Sequence, residues 1–150
     1  MRVLFCLLAS GFLLAGQSLS IGGDVPQPFE IPLSELAKRP TVELLAGKDT
    51  YTGALLIDLL AEAGQERGAK MRGTQIAKIV LVECEDAYRV AFSMAELDPE
   101  FRDTKVLLAW KKNGEALTSQ EGPLRLIVEG DKKMARWGRR VKSIRVVWLQ

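Results

Sequence analysis

The chain contains no histidine, and only two of its 150 residues are cysteine, Cys6 and Cys84. Without histidine it has no Ser-His-Asp or Cys-His nucleophilic system, and the usual zinc sites lose their nitrogen ligands. Cys6 lies inside an apolar N-terminal run, which leaves Cys84 without a partner for an internal disulfide, so stability must come from the core. An excess of either charge is also missing: 21 Lys and Arg stand against 19 Asp and Glu. A nucleic-acid-binding domain is expected to be distinctly basic, so the balance argues against nucleic acid as a partner. Internal repeats and low-complexity linkers are absent as well. What remains for chemistry is carboxylates, Lys and Arg, Tyr and one thiol.

The apolar run from Val3 to Ala15 follows the single charge of Arg2. It falls short of the roughly 20 apolar residues of a spanning helix, and Ser18-Leu19-Ser20 offers small residues where a signal peptidase reads. The expectation is a secretory signal peptide over residues 1–20, cleaved before Ile21. Residues 21–40 would be an extended lead-in and a first helical turn, and residues 41–150 the domain. The mature chain is expected to be periplasmic or secreted, with no stable membrane insertion. No Arg pair precedes the run and Cys6 is not placed as a lipobox cysteine, which points to the general, unfolded export route. Losing the leader removes one basic residue and no acid, so the charge stays near neutral.

Short strands dominate the rest. "FEIPLSEL" reads as a strand and a helical turn with Ser34 as its cap, "TVELLAG" as a strand, and "KDT" as a turn before Tyr51. "GALLIDLLAEAG" is the clearest helix: Leu55, Leu56, Leu59, Leu60 and Ala63 recur at helical spacing, and Gly64 is placed to stop it. "KIVLVEC" is apolar on both faces as far as Glu83, which suits a central strand, and "YRVAFS" returns antiparallel to it. Ser93 and Glu96 have capping-box spacing. Asn113-Gly114 marks a hairpin, and "GPLRLIVEG" and "KSIRVVWL" are the closing strands, with Trp148 expected in the core. One main helix with mixed or antiparallel sheets makes an α+β domain.

Between the closing strands runs "GDKKMARWGRRVKS", with six Lys or Arg, one Asp and Trp137. The indole could stack on a planar ligand beside Arg136 or Arg139, or pack under the loop with arginines snorkelling to water. Glu83, Glu85 and Asp86 resemble a carboxylate cluster, but turn acids are usually solvated, and no metal site is expected there. Cys84 sits among those acids, which would raise its pKa, and it reads as a core residue.

Two separated stretches together resemble the sulfite-oxidase-type molybdopterin-binding domain family, in its small secreted members. "YTGALLIDLLAEAG" is similar to an aromatic-x-Gly-Val-x-Leu-x-Asp-Leu-Leu element. "GPLRLIVEGDKKMARWGRRVKSIRVV" resembles a Gly-Pro-x-Arg-Leu-Val-x-Pro-Gly element followed by a basic-Trp pair and a closing strand. Between them "DAYRVAFSMAELDPEF" is similar to an Asp-Gly-Tyr-x-x-x-Phe-Ser-x-x-Glu-Leu pattern. The resemblance implies mixed sheets whose loops form a pocket for a pterin phosphate and an oxyanion substrate. Carried onto this chain, it makes Arg125, Lys132, Lys133, Arg136, Trp137 and Arg139 the candidate anion or pterin-phosphate surface.

The chain departs from the family pattern in several places. The family's molybdenum-binding cysteine would fall near Thr41 to Leu45, "TVELL", where there is none. Ala87 stands where glycine is frequent, and Glu129 where proline is. Loaded members are exported folded by the twin-arginine route, whose Arg pair is missing here. The expectation is therefore a non-catalytic binding or accessory module with an anion-friendly basic loop and no bound cofactor, although the resemblance admits molybdopterin. Its partner would be a small anion, a pterin-like ligand or a periplasmic protein. The alternative is a molybdopterin-dependent oxidoreductase, or a subunit of one, acting on a small oxyanion.

Overall fold

The computed structural model describes residues 17–149. Residues 1–16, which hold most of the expected signal peptide, lie outside the described residues. Ten strands and two short α-helices follow in order: β1 (Ser18–Gly23), β2 (Phe29–Pro32), α1 (Leu33–Leu36), β3 (Val42–Ala46), β4 (Asp49–Leu55), α2 (Leu56–Glu62), β5 (Lys78–Cys84), β6 (Arg89–Ser93), β7 (Val106–Lys112), β8 (Glu115–Ala116), β9 (Arg125–Val128) and β10 (Val141–Trp148). One sheet has the order β2-β1-β10-β5-β6, and the other runs β3-β4-β7-β8, with β9 also paired to β7. β1 and β10 are parallel and the remaining pairs antiparallel, so the fold is α+β with mixed and antiparallel sheets.

Burial follows the period-2 pattern that a strand imposes. On β5, Lys78, Val80, Val82 and Cys84 are buried while Ile79, Leu81 and Glu83 are half-exposed. Both sheets and α2 feed one hydrophobic cluster, with Leu19, Ile21, Val82, Phe92 and Ile144 from the first sheet and Leu107, Leu108 and Leu126 from the second. The β7–β8 hairpin turns through Asn113 and Gly114 at φ 51° and 82°, both left-handed as a two-residue turn of this kind requires. The Ser93–Glu96 capping box forms reciprocally: the Ser93 N–H donates to Glu96 Oε2 and the Glu96 N–H to Ser93 Oγ, each at 3.2 Å. The turn it caps is a single 3-10 turn, Ala95–Leu97.

Four readings of the sequence need correction. β4 begins at Asp49 and takes up Gly53 to Leu55, so the leucine helix is shorter than its periodicity suggested. Gly53 explains why: a Cβ there would lie 2.1 Å from the Leu108 carbonyl oxygen, so this stretch is pressed against β7 at a register shift. Ser34 caps nothing; the N–H of Leu33 at the start of α1 donates instead to the Gln17 carbonyl at 3.2 Å. Trp148 shares the inward parity of Ile144 and Val146 but lies at the end of β10 opposite Lys78, beyond the core, and is 47% exposed. Finally, the lead-in is not merely extended: Ser18–Gly23 form β1, with Leu19 and Ile21 enclosed.

Candidate functional site

The basic run between β9 and β10 is fastened at both ends. Its second half lies along the strand before it: the Leu126 N–H donates to the Gly138 carbonyl at 2.8 Å, and the Val141 N–H to the Leu124 carbonyl at 3.0 Å. Its first half contains the 3-10 turn Met134–Arg136. Between them Trp137 points inward and is 7% exposed. Its indole N–H donates to the Val128 carbonyl at 3.2 Å, and its ring stands edge-on to Tyr51, with centroids 5.9 Å apart at 89°. Trp137 therefore packs beneath the loop, and a buried aromatic with its N–H satisfied is a stable arrangement.

Arg125 joins this buried group. It is 4% exposed, its guanidinium carbon lies 5.7 Å from the Trp137 ring centroid, and Nη1 donates to Glu121. A buried arginine needs such a partner, since an unpaired charge away from water is costly. Its Nε has no hydrogen-bond partner among the described residues. Lys112 borders the group 5.9 Å from the Tyr51 ring centroid and 3.9 Å from Glu121.

Arg136 belongs to a second cluster. Its Nε and Nη2 form a fork on Asp131 at 2.9 and 2.7 Å, Nη1 donates to Glu96 at 2.8 Å, and its plane lies 5.1 Å from the Phe92 centroid. The hydrogen bonds Arg136 donates hold the Asp131 carboxyl below its ordinary range, and donating to Asp131 first and to Glu96 second pushes the Arg136 pKa up. Arg140 is matched by Glu85, with Nε at 2.8 Å, and Lys142 by Glu83 at 3.0 Å. Two acids of the apparent carboxylate cluster, Glu83 and Glu85, are thus matched by two cations of the basic run, Lys142 and Arg140.

The structure therefore does not gather the six candidates into one anion pocket. Arg125 and Trp137 are buried together, and Arg136 is held by two carboxylates. Lys132, Lys133 and Arg139 are exposed and have no ion-pair partner among the described residues. Arg139 lines a shallow groove of about 260 Å³ with Tyr88 and Met134, whose side chains are exposed, and with the edge of Trp137. The residues missed from sequence are the acids Glu121, Asp131 and Glu96; only Glu121, four positions before Arg125, carried a local hint.

The residue sequence model for the family described as "Oxidoreductase molybdopterin binding domain" matches positions 44–148. The chain belongs to this family. Among solved structures it is similar to the sulfane dehydrogenase SoxCD from Paracoccus pantotrophus, at 24% identity and a TM-score of 0.67. That match covers 87% of this chain but 38% of the SoxCD chain, and at this identity it establishes the fold alone. Among curated proteins none matches the sequence.

Among the described residues, the donors do not fit a molybdenum centre. β3 occupies the place where the family's cysteine is expected and carries none. Cys84, the free cysteine among the described residues, is fully enclosed. Burial first, then the charges of Asp86, Glu83 and Glu85, push its thiol up to about 11. Arg125 and Arg136, the forked donors suited to a pterin phosphate, are committed to internal carboxylates. Of the six candidates, Lys132, Lys133 and Arg139 remain available to an anion from outside.

Proposed function

We propose that this chain is an exported, non-catalytic binding or accessory module built on the molybdopterin-binding fold. One observation carries the reading: β3 lacks the cysteine, and Cys84, the free cysteine among the described residues, is enclosed in the core. A family member without a metal ligand keeps a scaffold but no redox centre of its own. Arg139, beside exposed Tyr88 and Met134, and the exposed Lys132 and Lys133 of the same loop support recognition of an acidic surface on a partner protein or of a small anion.

The test is metal content. The chain is produced with its own leader in a host that makes the molybdenum cofactor, and the exported protein is assayed by elemental analysis. The expected result is molybdenum far below one atom per chain; near-stoichiometric metal would overturn the proposal and favour the oxidoreductase reading. On the same preparation, phosphate is expected to raise the Tm, and Lys133→Ala with Arg139→Ala to abolish that rise. A wild type indifferent to phosphate removes the anion part.

A further inference from the structure

β1 restricts where a leader can end. It is paired along both edges, with β2 from Ser18↔Pro32 to Ile21↔Phe29 and with β10 from Ser20↔Ser143 to Gly23↔Val146. Leu19 and Ile21 are 0% and 1% exposed, as deeply placed as any core residue. On the export reading above, we infer that the leader is removed at the Gly16–Gln17 bond and not before Ile21.

The sites compete on three physical grounds. A cut before Ile21 removes half of β1 and with it the Leu19 side chain from the core. It also removes the Gln17 carbonyl, the acceptor for the Leu33 N–H at 3.2 Å that starts α1. Lastly, it creates an ammonium on an enclosed residue, and burying an unpaired charge is strongly unfavourable. A cut before Leu19 shares the last fault. Gln17 and Ser18 are exposed, so an ammonium on Gln17 stays in water. Gly16 supplies the small residue read immediately before the scissile bond, while Leu14 stands at the other position the pattern reads, so the fold and not the peptidase pattern selects this bond. In the reaction, water adds across the Gly16–Gln17 amide; Gly16 departs as a carboxylate and Gln17 becomes the amino terminus. The catalytic groups belong to the host's signal peptidase.

The experiment uses the full chain with its own leader in a bacterial host that has a periplasm. N-terminal sequencing and intact mass of the exported protein are expected to give a start at Gln17, or its cyclised pyroglutamyl form. A start at Leu19 or Ile21 overturns the assignment while leaving the export reading intact. An uncut chain retained with the membranes overturns both. Gly16→Arg is expected to leave precursor through a pulse-chase in which the wild type is fully processed, and Ser20→Leu to be processed normally; the reverse pattern refutes the site. A second arm is independent of export. Chains made directly from Gln17 and from Ile21 are compared by urea unfolding, and the shorter is expected to have the lower midpoint. Equal midpoints remove the structural ground for the inference.

Discussion

Gly138→Ala sets two effects of opposite sign against each other. Gly138 does not adopt a left-handed φ, so alanine strains no backbone there and, through the unfolded state alone, would stabilise by about 0.4–1 kcal/mol. Against this, its Cβ would lie 2.8 Å from the Cys84 sulfur, inside any normal contact. The sulfur has little room to retreat, because Cys84 is fully enclosed and its strand is paired to β10. Val90 stands 3.8 Å from the same Cβ position and closes the other side. Overpacking of this kind costs about 1–3 kcal/mol, so the clash decides the sign and Gly138→Ala destabilises. Cys84→Ala alone opens a small cavity and also destabilises. In the double variant the new methyl enters the space the sulfur left, and the two losses partly cancel. The assay is urea unfolding followed by tryptophan fluorescence, run as a double-mutant cycle, with a favourable coupling of at least about 1 kcal/mol expected. Additivity within about 0.5 kcal/mol, or a neutral Gly138→Ala, would refute the packing argument.

Two further outcomes follow from single residues. Ala87 holds φ at 66° in the β5–β6 turn, a conformation easy for glycine and costly for alanine, so Ala87→Gly is expected to raise stability by about 0.5–1 kcal/mol in the same assay; no gain would mean that the turn relaxes. Asp131, whose carboxyl the Arg136 hydrogen bonds hold low, contributes stability that is present above the unfolded carboxyl pKa of about 3.9 and is lost as pH falls toward the folded value. Asp131→Asn should therefore flatten acid unfolding below that pH, and Arg136→Ala should lower stability at neutral pH by about 1–3 kcal/mol; an unchanged acid limb in Asp131→Asn would sink this account.

Local rules recovered much of the fold from the sequence. The Asn113-Gly114 turn, the Ser93–Glu96 box and the central place of β5 each follow from residues within a few positions, and all three appear as read. β1 was hidden because it straddles the boundary drawn between the leader, which took Leu19, and the extended lead-in, which took Ile21. The helix boundary failed at Gly53, where contact with β7 overrides helical spacing. At the candidate site the cations were visible and their partners were not. Arg136 meets Glu96 across 40 positions and Arg140 meets Glu85 across 55, distances that no motif spans.

The last strand also has a kinetic role. β10 lies between β1 and β5, and among the described strands it alone joins the β1–β2 pair to the β5–β6 pair. Two-stranded pieces are marginal in water, so this sheet cannot close until Val141–Trp148 has left the ribosome. Such long-range closure is slow. A nascent chain of this architecture therefore leaves the β1–β2 and β5–β6 pairs unjoined until β10 has emerged.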